Sequence, residues 1–340
     1  MYKRQEYTLL LNQGAPEEFG DLPLNFVVRQ IPQRFLWAQT RLPRELRRLK
    51  PDVFFAPANV LPFLHPPVCV TTIHDVAFRF FPECYSRVLR WYLELTTRFA
   101  LRAATRIIAV SQATRDDLVT VFGADPSRIQ VVYSGSPVTD AVLPTREAVA
   151  STVGQYGITP PYLLFLGRLE TKKNVARIVK AFFNLKERGF PHQLVLAGAP
   201  GVGFEEVAEL INSSPYGLDV LLTGYVGQEK ADLYAGVDVF VFPSLYEGFG
   251  FPILEAAAYG VPVVTSRTSS LGEIAGEAAL LVDPSSVEEI AEAISRVVED
   301  QKLRSQLVEL GHQRVKEFDW ENTARGVVSV LEEAALRTPG

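Results

Sequence analysis

The stretch SLYEGFGFPILEAAAYGVPVV, residues 244–264, restricts what this chain can fold into more than any other part of it. An apolar run over 237–242 stops at Pro243, and a glycine-bearing loop follows. A helical segment then begins near Pro252, and a second apolar run covers 261–264. The order is strand, loop, helix, strand. Glu247 lies in the loop, and Glu255 lies eight positions on, in the first or second turn of the helix. Backbone N–H groups around residues 250–253 are available to a phosphate, because a helix start leaves donors unpaired and its dipole favours negative charge. The two carboxylates can only accept hydrogen bonds, which suits the paired hydroxyls of a sugar or a ribose.

The 340 residues suffice for two domains, and 47% apolar with 21% charged residues describes a globular chain able to build sizeable cores. The net charge of −5 is unevenly spread, with 17 Lys and Arg against 13 Asp and Glu in residues 1–140, and 17 against 26 in the remainder. No nucleic-acid partner is expected. Cys69 and Cys84 have neither a disulfide framework nor metal-ligand spacing, which points to a cytoplasmic protein. No stretch reads as a signal peptide, and no apolar run reaches the roughly 18 residues of a membrane span.

Strands are predicted over 7–11, 24–28, 52–55, 68–73, 107–110 and 129–133. A long helix is predicted over 86–104, and Ser111 is placed as the N-cap of a short one. The basic, aromatic segment 32–50 carries Arg34, Arg41, Arg44, Arg47, Arg48 and Lys50 among Phe35, Leu36 and Trp37. It reads as a solvated face over a core-facing stripe, or as a peripheral contact with an anionic membrane surface. Prolines at 137, 144, 160 and 161 mark a linker, giving domains over 1–143 and 144–340. Strands and helices alternate again after it, with strands over 162–166, 194–197, 220–222, 237–242, 261–264 and 279–282. Helices are expected over 175–188, 205–211, 229–235, 287–300, 302–317 and 321–335. This is an α/β chain with parallel sheets covered on both faces, and ligands in such folds lie beyond the carboxyl ends of the strands.

Arg168 follows directly on the strand over 162–166, and Lys173 stands just before the next helix. An arginine fork and a lysine point charge together can grip a diphosphate and balance its charge as it leaves. In the first half, His74 and Asp75 end a buried strand. The histidine can hydrogen-bond a sugar hydroxyl or face a developing cationic carbon, and Asp75 could orient it or meet an acceptor. No cluster of His, Cys, Asp and Glu suggests a metal, and no cofactor is called for.

Taken in order, these segments resemble the retaining family-four glycosyltransferases. YEGFGFPILEAAAYGVPVV matches their E-x7-E signature, and the likeness extends to TIHD at 72–75, GRLETKKN at 167–174, LTGYV at 222–226, ADLYAGVDVFVFPS before the signature and LLVDP at 280–284. The resemblance implies the GT-B fold, two Rossmann-like domains facing across a cleft, with the last helix crossing back to the first domain. It implies that Arg168 and Lys173 bind the donor diphosphate, Glu255 the ribose, and Glu247 the transferred sugar. Backbone at Gly248, Phe249, Gly250 and Phe251 would serve sugar and phosphate, backbone at Tyr225 and Val226 the base, and His74 would reach the sugar from the other domain.

The implied reaction moves a hexose from a nucleotide sugar to a glycan or lipid-linked acceptor, without a metal and with retention of anomeric configuration. GDP-mannose is the preferred donor and a UDP-hexose the other. Two further readings are a nucleotide-sugar isomerase and a non-catalytic nucleotide-sugar-binding subunit. Family members open with a strand and glycine loop ahead of anything resembling QEYTLLL. Here the expectation is that these elements are missing.

Overall fold

The computed structural model describes residues 5–14, 19–139 and 141–336. In the first half the order is β1 (Tyr7–Leu11), β2 (Phe26–Gln30), α1 (Trp37–Leu49), β3 (Phe54–Ala56), β4 (Cys69–Ile73), α2 (Ala77–Phe80), α3 (Arg87–Ala103), β5 (Arg106–Ala109), α4 (Gln112–Phe122) and β6 (Ile129–Val131). After α5 (Arg146–Gln155) come β7 (Tyr162–Leu166), α6 (Val175–Glu187), β8 (Gln193–Ala197), α7 (Phe204–Ser213), β9 (Val220–Gly224), α8 (Lys230–Gly236) and β10 (Val239–Phe242). Then follow α9 (Phe251–Ala258), β11 (Val263–Ser266), α10 (Ser269–Ala275), β12 (Ala279–Val282), α11 (Val287–Glu299), α12 (Gln301–Glu317) and α13 (Trp320–Leu336).

The second sheet is six-stranded and parallel, in the order β12-β11-β10-β7-β8-β9. β10 and β11 are buried throughout, as continuous apolar runs covered on both faces require. Strand order reverses between β7 and β10, the switch point at whose carboxyl edge parallel α/β sheets place their ligands.

In the first half the described strands form two parallel sheets, β1-β2 and β3-β4-β5-β6, where the alternation of elements suggested one. α1 packs on both, with Leu42 and Leu46 against Leu10 of β1 and Phe54 of β3. The second strand begins two residues later than its composition suggests. Pro23 accepts the N–H of Phe26 in a turn, which leaves Leu24 fully exposed. The basic segment becomes helical only at Trp37, whose indole donates to the carbonyl of Ile31 at 2.8 Å.

The last helix, α13, lies against β4 and β5 of the first half. Val330 and Ala334 are buried among Val68, Val70, Ile108 and Val132, and Glu333 pairs with Arg106 at 2.9 Å. Trp320 fixes the start of this helix, its indole donating to the carbonyl of Ser136 at 3.0 Å. Its ring covers Gly135 so closely that a β-carbon there would sit 2.6 Å from the indole and 2.7 Å from the Trp320 backbone nitrogen. Because the clash involves backbone, Gly135→Ala is expected to cost about 1–3 kcal/mol and to lower the melting temperature by several degrees in a circular-dichroism melt. An unchanged melt would show that α13 is not seated through this contact.

Candidate functional site

The loop between β10 and α9 is held on every side by side chains from neighbouring strand ends. Asn174, buried and in a left-handed backbone conformation, donates to the carbonyls of Pro243 at 3.0 Å and Pro284 at 2.7 Å, tying together the ends of β7, β10 and β12. Leu245 N–H donates to the carbonyl of Lys172 at 2.9 Å, and Glu247 N–H to Ser269 Oγ at 3.1 Å. Ser270 Oγ donates toward the carbonyls of Glu247 and Phe249. A loop tied this way presents its acid in one place without waiting for a ligand to order it.

Two acids sit there, each against a lysine. Glu247 is paired with Lys173, and both side chains are mostly buried. The Lys173 ammonium also lies 5.4 Å from the centre of the Phe242 ring. With one of its three donors on Glu247, Lys173 keeps others for an anion. Glu255, in the second turn of α9, accepts from Lys230 Nζ at 2.7 Å on one oxygen and from Tyr234 hydroxyl at 3.3 Å on the other. Burial, and then the Glu255 charge, pushes the Tyr234 hydroxyl far above its ordinary pKa, so it stays a donor. Lys230 and Tyr234 are on α8, which follows the β9 end where Tyr225 and Val226 lie. The Lys230–Glu255 pair therefore draws the edge of the sheet toward its centre.

The first half meets this loop backbone to backbone. A β-carbon on Gly248 would lie 2.0 Å from the carbonyl oxygen of His74, so only glycine permits the approach. Ser111, the N-cap of α4, accepts from Thr114 N–H and donates to the carbonyl of Gly248 at 2.8 Å. Tyr246 reaches across, donating to Asp117 at 2.7 Å and stacking on Phe80 with ring centres 5.0 Å apart. Glu273, from α10, accepts the N–H groups of Gln112 at 2.7 Å and Ala113 at 3.1 Å, the free donors at the start of α4. It also accepts from Tyr133 at 2.6 Å, and burial together with that bond pushes the Tyr133 hydroxyl up to about 12.

His74 is exposed, with Nε2 2.9 Å from the carbonyl of Pro57. A carbonyl can only accept, so the proton sits on Nε2 and Nδ1 is left as an acceptor. Of the two roles expected for Asp75, orienting His74 or meeting an acceptor, the first has no hydrogen bond to support it, and Asp75 accepts the N–H of Ala77 at 2.8 Å.

Arg168 extends into solvent, 3.9 Å from Glu170. Tyr225 is exposed and Val226 packs into the second core. Phe249 is buried in a cluster joining both halves, with Val110, Leu254, Ile274 and Phe318, whereas Phe251 is partly exposed. Among Gly250–Ile253, Pro252 has no N–H and Ile253 donates to Gly250, so the free donors narrow to Gly250 and Phe251. Among the described residues no group of three His, Cys, Asp or Glu side chains could hold a metal ion.

Sequence reasoning missed Lys230, Tyr234, Tyr246 and Glu273. α10 itself was missed because SSLGEIA is short and carries two serines and a glycine. Since Glu273 caps a helix across the seam, Glu273→Ala is expected to cost about 1–2 kcal/mol and to speed hydrogen exchange at the Gln112 and Ala113 amides. Unchanged exchange at those amides would show that Glu273 does not hold the seam.

The family model described as glycosyl transferases group 1 matches residues 154–314, and that described as glycosyltransferase family 4 matches residues 8–139. O-antigen chain mannosyltransferase B of Escherichia coli is 32% identical over 305 residues, covering 88% of this chain and 77% of that one. MMP alpha-(1->4)-mannosyltransferase of Mycolicibacterium hassiacum is 31% identical, covering 74% of this chain and 59% of its own length. Among solved structures, a glycosyltransferase from Rickettsia africae superposes with a TM-score of 0.74 at 16% identity, covering 98% of this chain and 91% of that one. Anabaena Alr3699/HepE, in complex with UDP-glucose, gives 0.73 at 19% identity, with coverage of 90% and 86%. These two show a shared fold. With both halves matched and a relative of this similarity, the chain belongs to the glycosyltransferases of group 1 and family 4, in the two-domain GT-B fold.

Proposed function

We propose that this glycosyltransferase moves a hexose, with mannose preferred, from a nucleoside diphosphate sugar to a glycan or lipid-linked glycan, retaining the anomeric configuration. The observation that carries the proposal is the pair of lysine-bound acids, Lys173–Glu247 and Lys230–Glu255, at the carboxyl edge of the second sheet. Their loop abuts the His74 segment of the other domain. One acid is set for the hydroxyls of the transferred sugar and the other for the ribose. Arg168, which projects into solvent, and Lys173 supply the cations a departing diphosphate needs, and the N–H groups of Gly250 and Phe251 add neutral donors. Mannose is favoured over other hexoses because both relatives named above are mannosyltransferases, which also makes GDP-mannose the first donor to try.

In the proposed step the bond from the anomeric carbon to the diphosphate oxygen breaks as the acceptor oxygen attacks the same face. The acceptor proton passes to the leaving phosphate, so no protein nucleophile is required. His74 Nδ1, free to accept, meets a sugar hydroxyl, and the contact between the halves excludes water that would otherwise hydrolyse the donor.

Isothermal titration with GDP-mannose, UDP-glucose and the free diphosphates tests the binding half of this reading. One nucleotide is expected to bind, and Glu255→Ala to weaken it about tenfold or more. Equal affinity in both proteins would end the assignment of Glu255, and no heat with any nucleotide would overturn the proposal. For the chemical step, Lys173→Ala is expected to lower kcat by about a hundredfold, measured as sugar release or transfer from the donor that binds. A change confined to KM would place Lys173 in ground-state binding alone.

A further inference from the structure

Helix α3 turns an apolar stripe away from the protein. Val88, Trp91, Tyr92 and Leu95 follow the i, i+3, i+4, i+7 spacing that ordinarily marks a core-facing helix side, yet they are 78%, 66%, 39% and 40% exposed. The helix has a separate buried side on Thr96, Thr97, Ala100 and Leu101, so the outward stripe is surplus to folding. It continues onto the loop between β3 and β4, where Leu64 is 60% and Phe63 47% exposed, the Phe63 ring meeting Phe99 of α3 edge to face at 4.9 Å. Scattered exposed apolar residues are ordinary on a protein surface, but a contiguous stripe with its own periodicity marks an interaction site.

Arginines outnumber acids around the stripe. Arg87, Arg90, Arg98 and Arg102 of α3 are all exposed, and helical spacing sets Arg87, Arg98 and Arg102 on the same side as Trp91. The single acid of α3, Glu94, is engaged by Arg98 at 2.6 Å and by Arg79 at 3.5 Å. Two copies of this face would bring arginines together with only the already paired Glu94 of α3 to meet them, which disfavours self-association. Tryptophan and tyrosine beside aliphatic side chains and arginines suit the boundary between headgroups and acyl chains of an anionic bilayer.

We infer that α3, with the loop at Phe63 and Leu64, is a docking face for the surface of an anionic lipid bilayer. Among the described residues no helix is long and apolar enough to cross a membrane, and this contact is with the surface. The basic segment around α1 offers less, because Trp37 is tucked inward and its exposed apolar side chains, Phe35 and Leu36, precede the helix instead of running along it as a stripe. α3 is also joined to the site: Arg79 of α2 pairs with Glu94, and the next residue, Phe80, stacks on Tyr246 of the acidic loop. A bilayer held on α3 is thus one short helix from His74.

Vesicle co-sedimentation, with no donor or acceptor present, tests this independently of the proposed reaction. The protein is expected to bind vesicles containing phosphatidylglycerol at low salt, to release at high salt, and to ignore pure phosphatidylcholine. Trp91→Ser with Leu95→Ser, and separately Arg87→Gln with Arg102→Gln, should each weaken binding by about tenfold or more, with melting temperature and nucleotide affinity unchanged. Trp91→Phe should keep binding while abolishing the quenching of tryptophan fluorescence by brominated lipid. Absence of binding at low salt, or binding untouched by both double substitutions, would overturn the inference. So would a dimer that Trp91→Ser with Leu95→Ser converts to monomers, which would assign the face to a second copy of the chain.

Discussion

Gly248 must lie against the carbonyl of His74 with no side chain between them, and much of the site's geometry depends on that contact. It sets the distance between the halves at the level of backbone, where there is little room to adjust. Ser111 and Tyr246 then close hydrogen bonds across the same seam, and Glu273 satisfies the start of α4 from the other side. Each of these partners sits within a few residues of a strand's carboxyl end or of a helix start, the places where a parallel α/β fold leaves backbone groups unpaired. The seam therefore uses polar groups that the fold would otherwise leave to water.

The electrostatics of the site follow from the same economy. A mostly buried carboxylate needs a partner, and each of these two has a lysine within hydrogen-bond reach. Those lysines come from different places, one from the loop after β7 and one from the first turn of α8, so the acids are held by elements on either side of them. Arg168 has no such anchor beyond a distant Glu170 and extends into solvent. Held acids beside a free arginine make a site with one side fixed before any ligand arrives and one side able to adjust.

The same chain that separates the halves also joins them. α13 returns from the second half to cover β4 and β5, burying Val330 and Ala334, while Phe249 and Phe318 share an apolar cluster with Val110. Apolar contacts of this kind are not directional, and they tolerate small movements that the hydrogen bonds of the seam do not. Relative motion of the two halves would thus strain Gly248, Ser111 and Glu273 before it exposed the core.

Local pattern carried much of the fold. Tyr162–Leu166 and Ala279–Val282 are strands with the bounds their apolar runs suggested, and Ser111 caps α4 as its position before a helical stretch implied. That Glu247, Glu255, Arg168, Lys173 and His74 lie near strand ends and helix starts was legible because polar groups there are conspicuous against buried runs. What the sequence alone could not decide was partnership. Asp75 was expected to orient His74 or to meet an acceptor, but adjacent residues on an extended segment point apart, and it is the carbonyl of Pro57, from another loop, that meets His74 Nε2. Lys230, Tyr246 and Glu273 carried no local signal, since their hydrogen-bond partners lie 25, 129 and 161 positions away. The outward stripe of α3 has the periodicity of a core helix, and only packing decided which of its sides the protein would cover. Periodicity and end signals are properties of a short window of chain, so the sequence determined the elements and the edge at which these polar groups gather. Contacts between distant windows depend on how sheets stack and meet, which is settled only when the whole chain packs.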